Sequence, residues 1–376
     1  MSATPPPGQS RTESHFFALL RFALNTDVTE TETIEAGEWP DIYAVATRQS
    51  LRALIYKGIA RLPKDNRPPT DLMLQWYGEA EKVHDMNLVL NDEAARLTRR
   101  FTEEGHRTVI LKGQANARLY PDPQSRQPGD IDIWVEGGRK SVLDLLEKMG
   151  LMKDSPVVSY HHVHLHANER GVDVEVHFRP SSGNMNPFSN RRLQKWLKQE
   201  IVREIELTSE GFCVPSVSFA LMMQLSHIQR HFLAGGIGLR QIVDYYMLLR
   251  SSTLEDRQSV ADQLKRMGLW HTAGAVMWLQ SHVLALDESL LLCPPDEYRG
   301  QWMLREIMES GNFGQYARWN HPSLPVRFVR RKHRWLQLLR FDFWEVPWFE
   351  VKYWSNIILT IPKRIRLRTF SLRDVR

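Results

Sequence analysis

The segment "GDIDIWV" sets Asp130 and Asp132 two residues apart, alternating with Ile131, Ile133 and Val135. In an extended strand, residues i and i+2 share a face, with Cα atoms roughly 6.5–7 Å apart. The two carboxylates therefore converge on one point, where like charges repel. A divalent cation offsets that repulsion. Mg²⁺ takes oxygen ligands, typically one or two carboxylates completed by phosphate and water. In two-metal phosphoryl chemistry the ions sit about 3.5–4 Å apart. A second acidic stretch, "VDVEVHF", offers Asp173 and Glu175 in the same alternation. An Asp-x-Asp pair also suits a plain solvent-exposed sheet face. The second acidic strand and the upstream "LKG" favour the chemical reading.

Other residue types could do different work. "HHVHLH" puts His162, His164 and His166 on one strand face, a spacing compatible with a transition metal or with tolerated edge histidines. "SHIQRH" sets His227 and His231 four apart on a helix. The glutamate of His-Glu-x-x-His is missing there, so these read as hydrogen-bonded residues of a helix facing the cleft. Arg240 and Asp244 are also four apart, which reads as a structural ion pair.

The elements that must position these groups follow from the spacing of apolar residues. Residues 1–13, rich in Pro, Gly, Ser and Thr, read as disordered. "SHFFALLRFALN" is a short amphipathic helix, followed by an acidic connector. "DIYAVATRQSLRALIYKGIARL" has apolar residues at helical spacing and ends before the breaker-rich "PKDNRPP". A long helix is expected over about 71–104, with Leu90, Ala94, Leu97 and Phe101 on one face. The period then changes. "TVILKG" and "QPGDIDIWVEGG" read as strands, "GRKSVLDLLEKMG" as a helix, and "VVSYHHVHLHA" and "VDVEVHFRP" as two strands joined at "NERG". From about residue 185 the chain reads as mostly helical. The order helices, small mixed sheet with one helix, then helices is α+β. The expected division is 1–13 disordered, 14–82 helical, 83–182 a sheet-bearing domain, 183–320 a helical domain, and 321–376 a tail.

Length and composition set the outer bounds. At 376 residues the chain is long enough for two or three cores. Two cysteines, Cys213 and Cys293, exclude a disulfide framework and a cysteine-rich zinc site. No apolar run has transmembrane length and no signal peptide is evident. A reducing, cytoplasmic setting is expected, with peripheral membrane contact as a variant. The net charge is +5, yet residues 321–376 carry 13 Lys/Arg against 4 Asp/Glu, so the remainder is acidic. That tail also holds Trp335, Trp344, Trp348 and Trp354. Interleaved basic and aromatic residues bind RNA or an anionic membrane, or pack on the protein body with arginines reaching outward.

Taken together, "TVILKG…LYPDPQSRQPGDIDIWV…VDVEVHF" resembles the nucleotidyltransferase superfamily with its polymerase β-like palm. More narrowly, it is similar to the family of uncharacterised bacterial nucleotidyltransferases. That pattern has a Leu-Lys-Gly turn, an arginine shortly before Asp-hydrophobic-Asp, and a later Glu/Asp-x-His strand. The likeness extends to "LRALIYKGIARL" and "LSHIQRH…LRQIVDYY", spanning most of residues 41–250. The resemblance implies Asp130 and Asp132 as the metal-binding pair, and Glu175 as third carboxylate, either general base or ligand of a second ion. It implies Lys112 and Gly113 as a phosphate-binding turn and Arg126 as neutralising phosphate or orienting its loop. It also implies His177 beside the site and Arg240 on a helix across the cleft. The wider superfamily places Gly-Ser or Gly-Gly at the first turn. Here Lys112 precedes the glycine and Gln114 follows it, as in the narrower family. The implied activity is Mg²⁺-dependent transfer of a nucleoside monophosphate from an NTP, with ATP the expected donor and two ions expected. The acceptor would be a small molecule, a protein or a tRNA end. The alternative is a non-catalytic nucleotide-binding or scaffold protein on the same fold, at a membrane surface in polysaccharide assembly.

Overall fold

The computed structural model describes residues 10–25, 27, 32–153, 156–165, 167, 169–317, 324–352 and 354–355. Helix α1 (Arg11–Leu24) starts at Ser10, whose hydroxyl accepts from Glu13 N while the Glu13 carboxylate accepts from Ser10 N, a reciprocal cap. The next helical stretch is broken rather than continuous. Helices α2 (Trp39–Arg48) and α3 (Arg52–Arg61) flank a turn in which Ser50 has φ +57°. The break is held by Gln49. Its amide donates to Ile307 O at 2.9 Å and accepts from Leu239 N at 3.0 Å. Helix α4 (Thr70–Glu103) then runs unbroken, and Gly105 closes it at φ +84°.

Strand β1 (Thr108–Ile110), the single-turn helix α5 (Gln114–Ala117), strand β2 (Ile131–Val135) and helix α6 (Gly138–Lys148) follow. The stretch "VVSYHHVHLHA" forms two strands, β3 (Val157–Val158) and β4 (His162–Leu165), rather than one. Ser159 makes the reversal, its hydroxyl accepting from His161 N at 3.3 Å and His162 N at 3.1 Å. Strand β5 (Val174–His177) completes a five-stranded mixed sheet in the order β1-β2-β5-β4-β3. Only β2 and β5 are parallel. The rest is chiefly helical: α7 (Pro187–Glu200), a small hairpin of β6 (Ile205–Leu207) and β7 (Cys213–Pro215), then α8 (Val217–Ala234), α9 (Leu239–Ser251), α10 (Leu254–Ala261), α11 (Trp270–Trp278), α12 (Glu297–Ser310) and α13 (Leu324–Phe341). The architecture is mostly helical α+β around a five-strand mixed sheet.

Two apolar cores divide the work. In one, Leu90, Ala94, Leu97 and Phe101 of α4 and Val142, Leu145 and Leu146 of α6 cover Ile131, Ile133, Val135, Val174 and Val176 of the sheet. The other joins both ends of the chain: Phe16 and Leu20 of α1 and Trp39 of α2 pack with residues of α8, α9, α11 and α12. Trp76, at the other end of α4, also lies in it. Position 82, the expected boundary between helical region and palm, therefore falls inside one helix that serves both cores.

The tail packs on the body along one side. Leu338, Phe341 and Val346 are buried. The buried Arg334 pairs with Glu306 and donates to the Phe232 and Leu233 carbonyls. Trp335 packs against the core and Trp348 lies edge-on to Phe188. Phe343 and Trp344 are exposed. The basic "IPKRIRLRTF" segment lies outside the described residues, as does His166.

Candidate functional site

Parallel pairing of β2 with β5 makes Asp132 the direct partner of Glu175, and Trp134 that of His177. Antiparallel pairing of β5 with β4 sets His164 opposite Glu175 and His162 opposite His177. Alternate residues share a face. One face of the sheet is thus apolar and buried on α4 and α6, while the other presents the acids and histidines toward α8 and α9. Between them is a cleft of about 530 Å³. Its walls include Lys112, Gly113, Arg126, Asp130, Asp132, Glu175, His177 and Arg240. Asp130 immediately precedes β2. Asp173 is half-exposed just before β5, 3.9 Å from His164 Nε2, and is not among the cleft residues.

Charge in the cleft is closely matched. Lys112 Nζ lies 3.1 Å from Asp132 Oδ2, and His177 Nε2 lies 3.0 Å from Asp132 Oδ1 and 3.3 Å from Glu175 Oε2. Burial pushes the Asp132 carboxyl up, but Lys112 and His177 outweigh it and hold the group well below the carboxylate range. Asp130 moves the other way: the neighbouring Asp132 charge, then burial, raise it. The two aspartates are thus driven apart, as interacting carboxylates are. Burial lowers the His177 imidazole, and its bonds to Asp132 and Glu175 more than restore it, so its pKa is raised.

The turn after β1 explains the Gly-Gln departure. Gly113 has φ +63°, a backbone conformation that residues with a side chain rarely adopt, so glycine suits the turn. The Gln114 side chain points away from the cleft, donating to Asn91 Oδ1 of α4 at 2.7 Å. It fixes the turn to the helix behind it.

Arg126 is buried and engaged. Its Nε and Nη2 each lie 2.8 Å from Asp244, and Nη1 donates to Gln127 O. Tyr120 Oη donates to the same carboxylate at 2.7 Å. Asp244 therefore pairs with Arg126, 118 residues away, rather than with Arg240 one helical turn earlier. Arg240 donates instead to the Gln127 and Pro128 carbonyls at 3.2 and 3.3 Å. Its guanidinium carbon lies 5.8 Å from the Phe313 ring centroid. The arginine and the α9 helix hold the loop that leads into Asp130.

His227 and His231 face one another across 4.2 Å between ring centroids and line the cleft. They form no side-chain hydrogen bond among the described residues, contrary to the expectation for this pair. Burial, then the Lys112 charge, lowers both, with His231 at about 4. Glu175 has His162 Nδ1 at 3.1 Å and His164 Nδ1 at 3.6 Å. Cleft residues that no sequence motif singles out include His161, Arg230 and Phe313. The "HH" doublet was the available sign for His161. Phe313 belongs to no motif.

The family model described as uncharacterised nucleotidyltransferase matches residues 35–285, more than half of the chain. The chain belongs to this nucleotidyltransferase family. No curated protein matches it. Among solved structures, an antigenic nucleotidyltransferase-like protein from Paracoccidioides brasiliensis is similar over 56% of this chain and 96% of its own, at 14% identity and TM-score 0.30. In this family member, the matched span contains the sheet, the acids and helices α8 and α9, whereas Phe313 and the tail lie beyond it.

Proposed function

We propose that the protein is a Mg²⁺-dependent nucleotidyltransferase that moves a nucleoside monophosphate from an NTP, ATP by preference, to an acceptor hydroxyl or phosphate. The observation that carries this reading is the register of β2 on β5, which sets Asp132 beside Glu175, with Asp130 lining the same cleft. Three carboxylates are hard oxygen donors, the set that Mg²⁺ prefers, and Asp130, Asp132 and Glu175 would hold it. When bound, the ion supplies charge neutralisation for the triphosphate and Lewis acidity at the phosphoryl centre.

The chain's own residues account for the remaining demands. Glu175 accepts the proton of the acceptor hydroxyl as its oxygen bonds to the α-phosphorus and pyrophosphate departs. Lys112 offers an ammonium to the triphosphate from the turn that Gly113 permits. His177 orients both carboxylates through its bonds to Asp132 and Glu175. Arg240 stands across the cleft beside the loop before Asp130. Arg126, held by Asp244, shapes that loop and is not free to meet phosphate. The acceptor would be a small molecule, a protein side chain or a tRNA end. The exposed aromatic and basic side of the tail favours a large or anionic partner, RNA or a membrane surface.

Thermal unfolding with ATP, GTP, CTP and UTP, with and without Mg²⁺, tests the reading. A nucleotide at a hundred times its Kd adds about 2.7 kcal/mol, a rise in Tm of about 2 °C or more. The rise should require Mg²⁺ and vanish in Asp130→Ala and Asp132→Ala. Absence of any nucleotide-dependent rise in folded wild type would support the non-catalytic scaffold reading instead.

A further inference from the structure

His161 ends the β3–β4 turn, His162 opens β4, and His177 closes β5 opposite His162. Their rings form a triangle with centroid separations of 4.2, 5.1 and 5.3 Å. One donor atom from each lies within 4.8 Å of the others. His161 Nε2 is 3.1 Å from His162 Nδ1. Glu175 Oε2 is 3.1 Å from His162 Nδ1 and 3.3 Å from His177 Nε2.

These lengths can be compared with a known coordination geometry. Zn–N bonds are about 2.0–2.1 Å in tetrahedral sites, so neighbouring donors lie about 3.3 Å apart and imidazole centroids about 5 Å apart. The His161–His162 donor separation of 3.1 Å and the two ring separations to His177, 5.1 and 5.3 Å, lie close to those figures, while the His161–His162 rings are closer at 4.2 Å. A hydrogen bond between two neutral imidazoles would account for the His161–His162 contact alone. It gives no reason for the His177 ring to close the triangle with a donor atom within 4.8 Å of both.

We propose that His161, His162 and His177 form a transition-metal site, best matched to Zn²⁺ with water completing its shell, beside the Asp130–Asp132 pair. Imidazole nitrogen selects borderline ions such as Zn²⁺, whereas Mg²⁺ prefers oxygen. The cleft then has an oxygen-rich end and a nitrogen-rich end. His177 stands where they meet, 3.0 Å from Asp132. His161 belongs only to the nitrogen-rich end, which makes it the residue that separates the two. The alternating histidines of "HHVHLH" pointed toward His162, His164 and His166. The site instead uses the residue before the strand and one from the neighbouring strand.

This site goes beyond the nucleotidyl-transfer reading, and its test needs neither nucleotide nor turnover. Full-length protein, stripped with a chelator, is titrated with Zn²⁺ against a chromophoric competitor in millimolar Mg²⁺. A parallel titration with Co²⁺ follows the visible absorption of a four-coordinate ion. Stoichiometric Zn²⁺ binding that Mg²⁺ does not displace is expected, with strong Co²⁺ bands. His161→Ala should weaken Zn²⁺ by at least about tenfold, in line with the loss seen when metal-site residues are removed. Asp130→Asn should bind Zn²⁺ as wild type does. Should alanine disturb the turn, His161→Gln gives the same comparison with a side chain of similar size. No stoichiometric Zn²⁺, wild-type affinity in both His161 variants, or loss of binding in Asp130→Asn would each overturn the assignment. The last would place the ion on the aspartate pair.

Discussion

Asp244, buried at the cleft wall, accepts two bonds from Arg126 and one from Tyr120. Removing one partner of a buried pair leaves the other charge uncompensated and costs about 3–5 kcal/mol. Asp244→Ala should lower the urea midpoint accordingly at unchanged m-value. Replacing both Arg126 and Asp244 by leucine should recover much of the loss, because the stranded charge is then gone. The carboxylates of the cleft were legible because a period of two assigns strand faces without knowledge of the fold. The Arg126–Asp244 pair was not legible. Sequence proximity offered Arg240 as the partner, and only the packing of α9 on the loop before β2 decides otherwise. His161 was obscured for a similar reason: a serine hydroxyl capping two backbone amides converts an apparent strand into a turn.

Among the elements, the long helix and strands β2 and β5 could be read closely, since each carries a sustained apolar period. The break between α2 and α3 could not. "TRQSLR" has neither glycine nor proline, and the chain reverses there because Gln49 bonds to backbone groups near residues 239 and 307. A tertiary contact has overridden local propensity. Gln49→Ala would strand the buried Leu239 amide, while Ile307 O keeps its bond from Gly311 N. With an unsatisfied buried group costing about 1–3 kcal/mol, the variant should unfold at a lower urea midpoint. Nucleotide binding should be retained in the folded fraction, since Gln49 does not line the cleft. A loss of nucleotide binding at full stability would show that the break also shapes the site.

For the whole molecule, attachment of the tail introduces a dependence on pH. Glu345 is buried, its carboxylate accepting from Ser189 Oγ at 2.6 Å and Asn186 N at 3.1 Å. Burial raises its pKa to about 7 against an ordinary value of 4.5. The folded state therefore holds this proton more tightly than the unfolded chain does. Its contribution is fully present below about pH 4.5 and is lost as the pH rises through about 7. Denaturant unfolding across that window should show a decline that is smaller in Glu345→Gln. An identical slope in the variant would assign the decline to other groups. Residues of α1 and α2 also share one core with those of α8, α9, α11 and α12, which affects how the protein is made. Phe16, Phe17 and Trp39 emerge from the ribosome long before α12 exists to cover them. At about 5–20 residues per second, the roughly 250 residues between α3 and the end of α12 take on the order of 10–50 s. During that interval the nascent N-terminal helices expose an aromatic surface without its final cover, and a chaperone that recognises such surfaces has time to act.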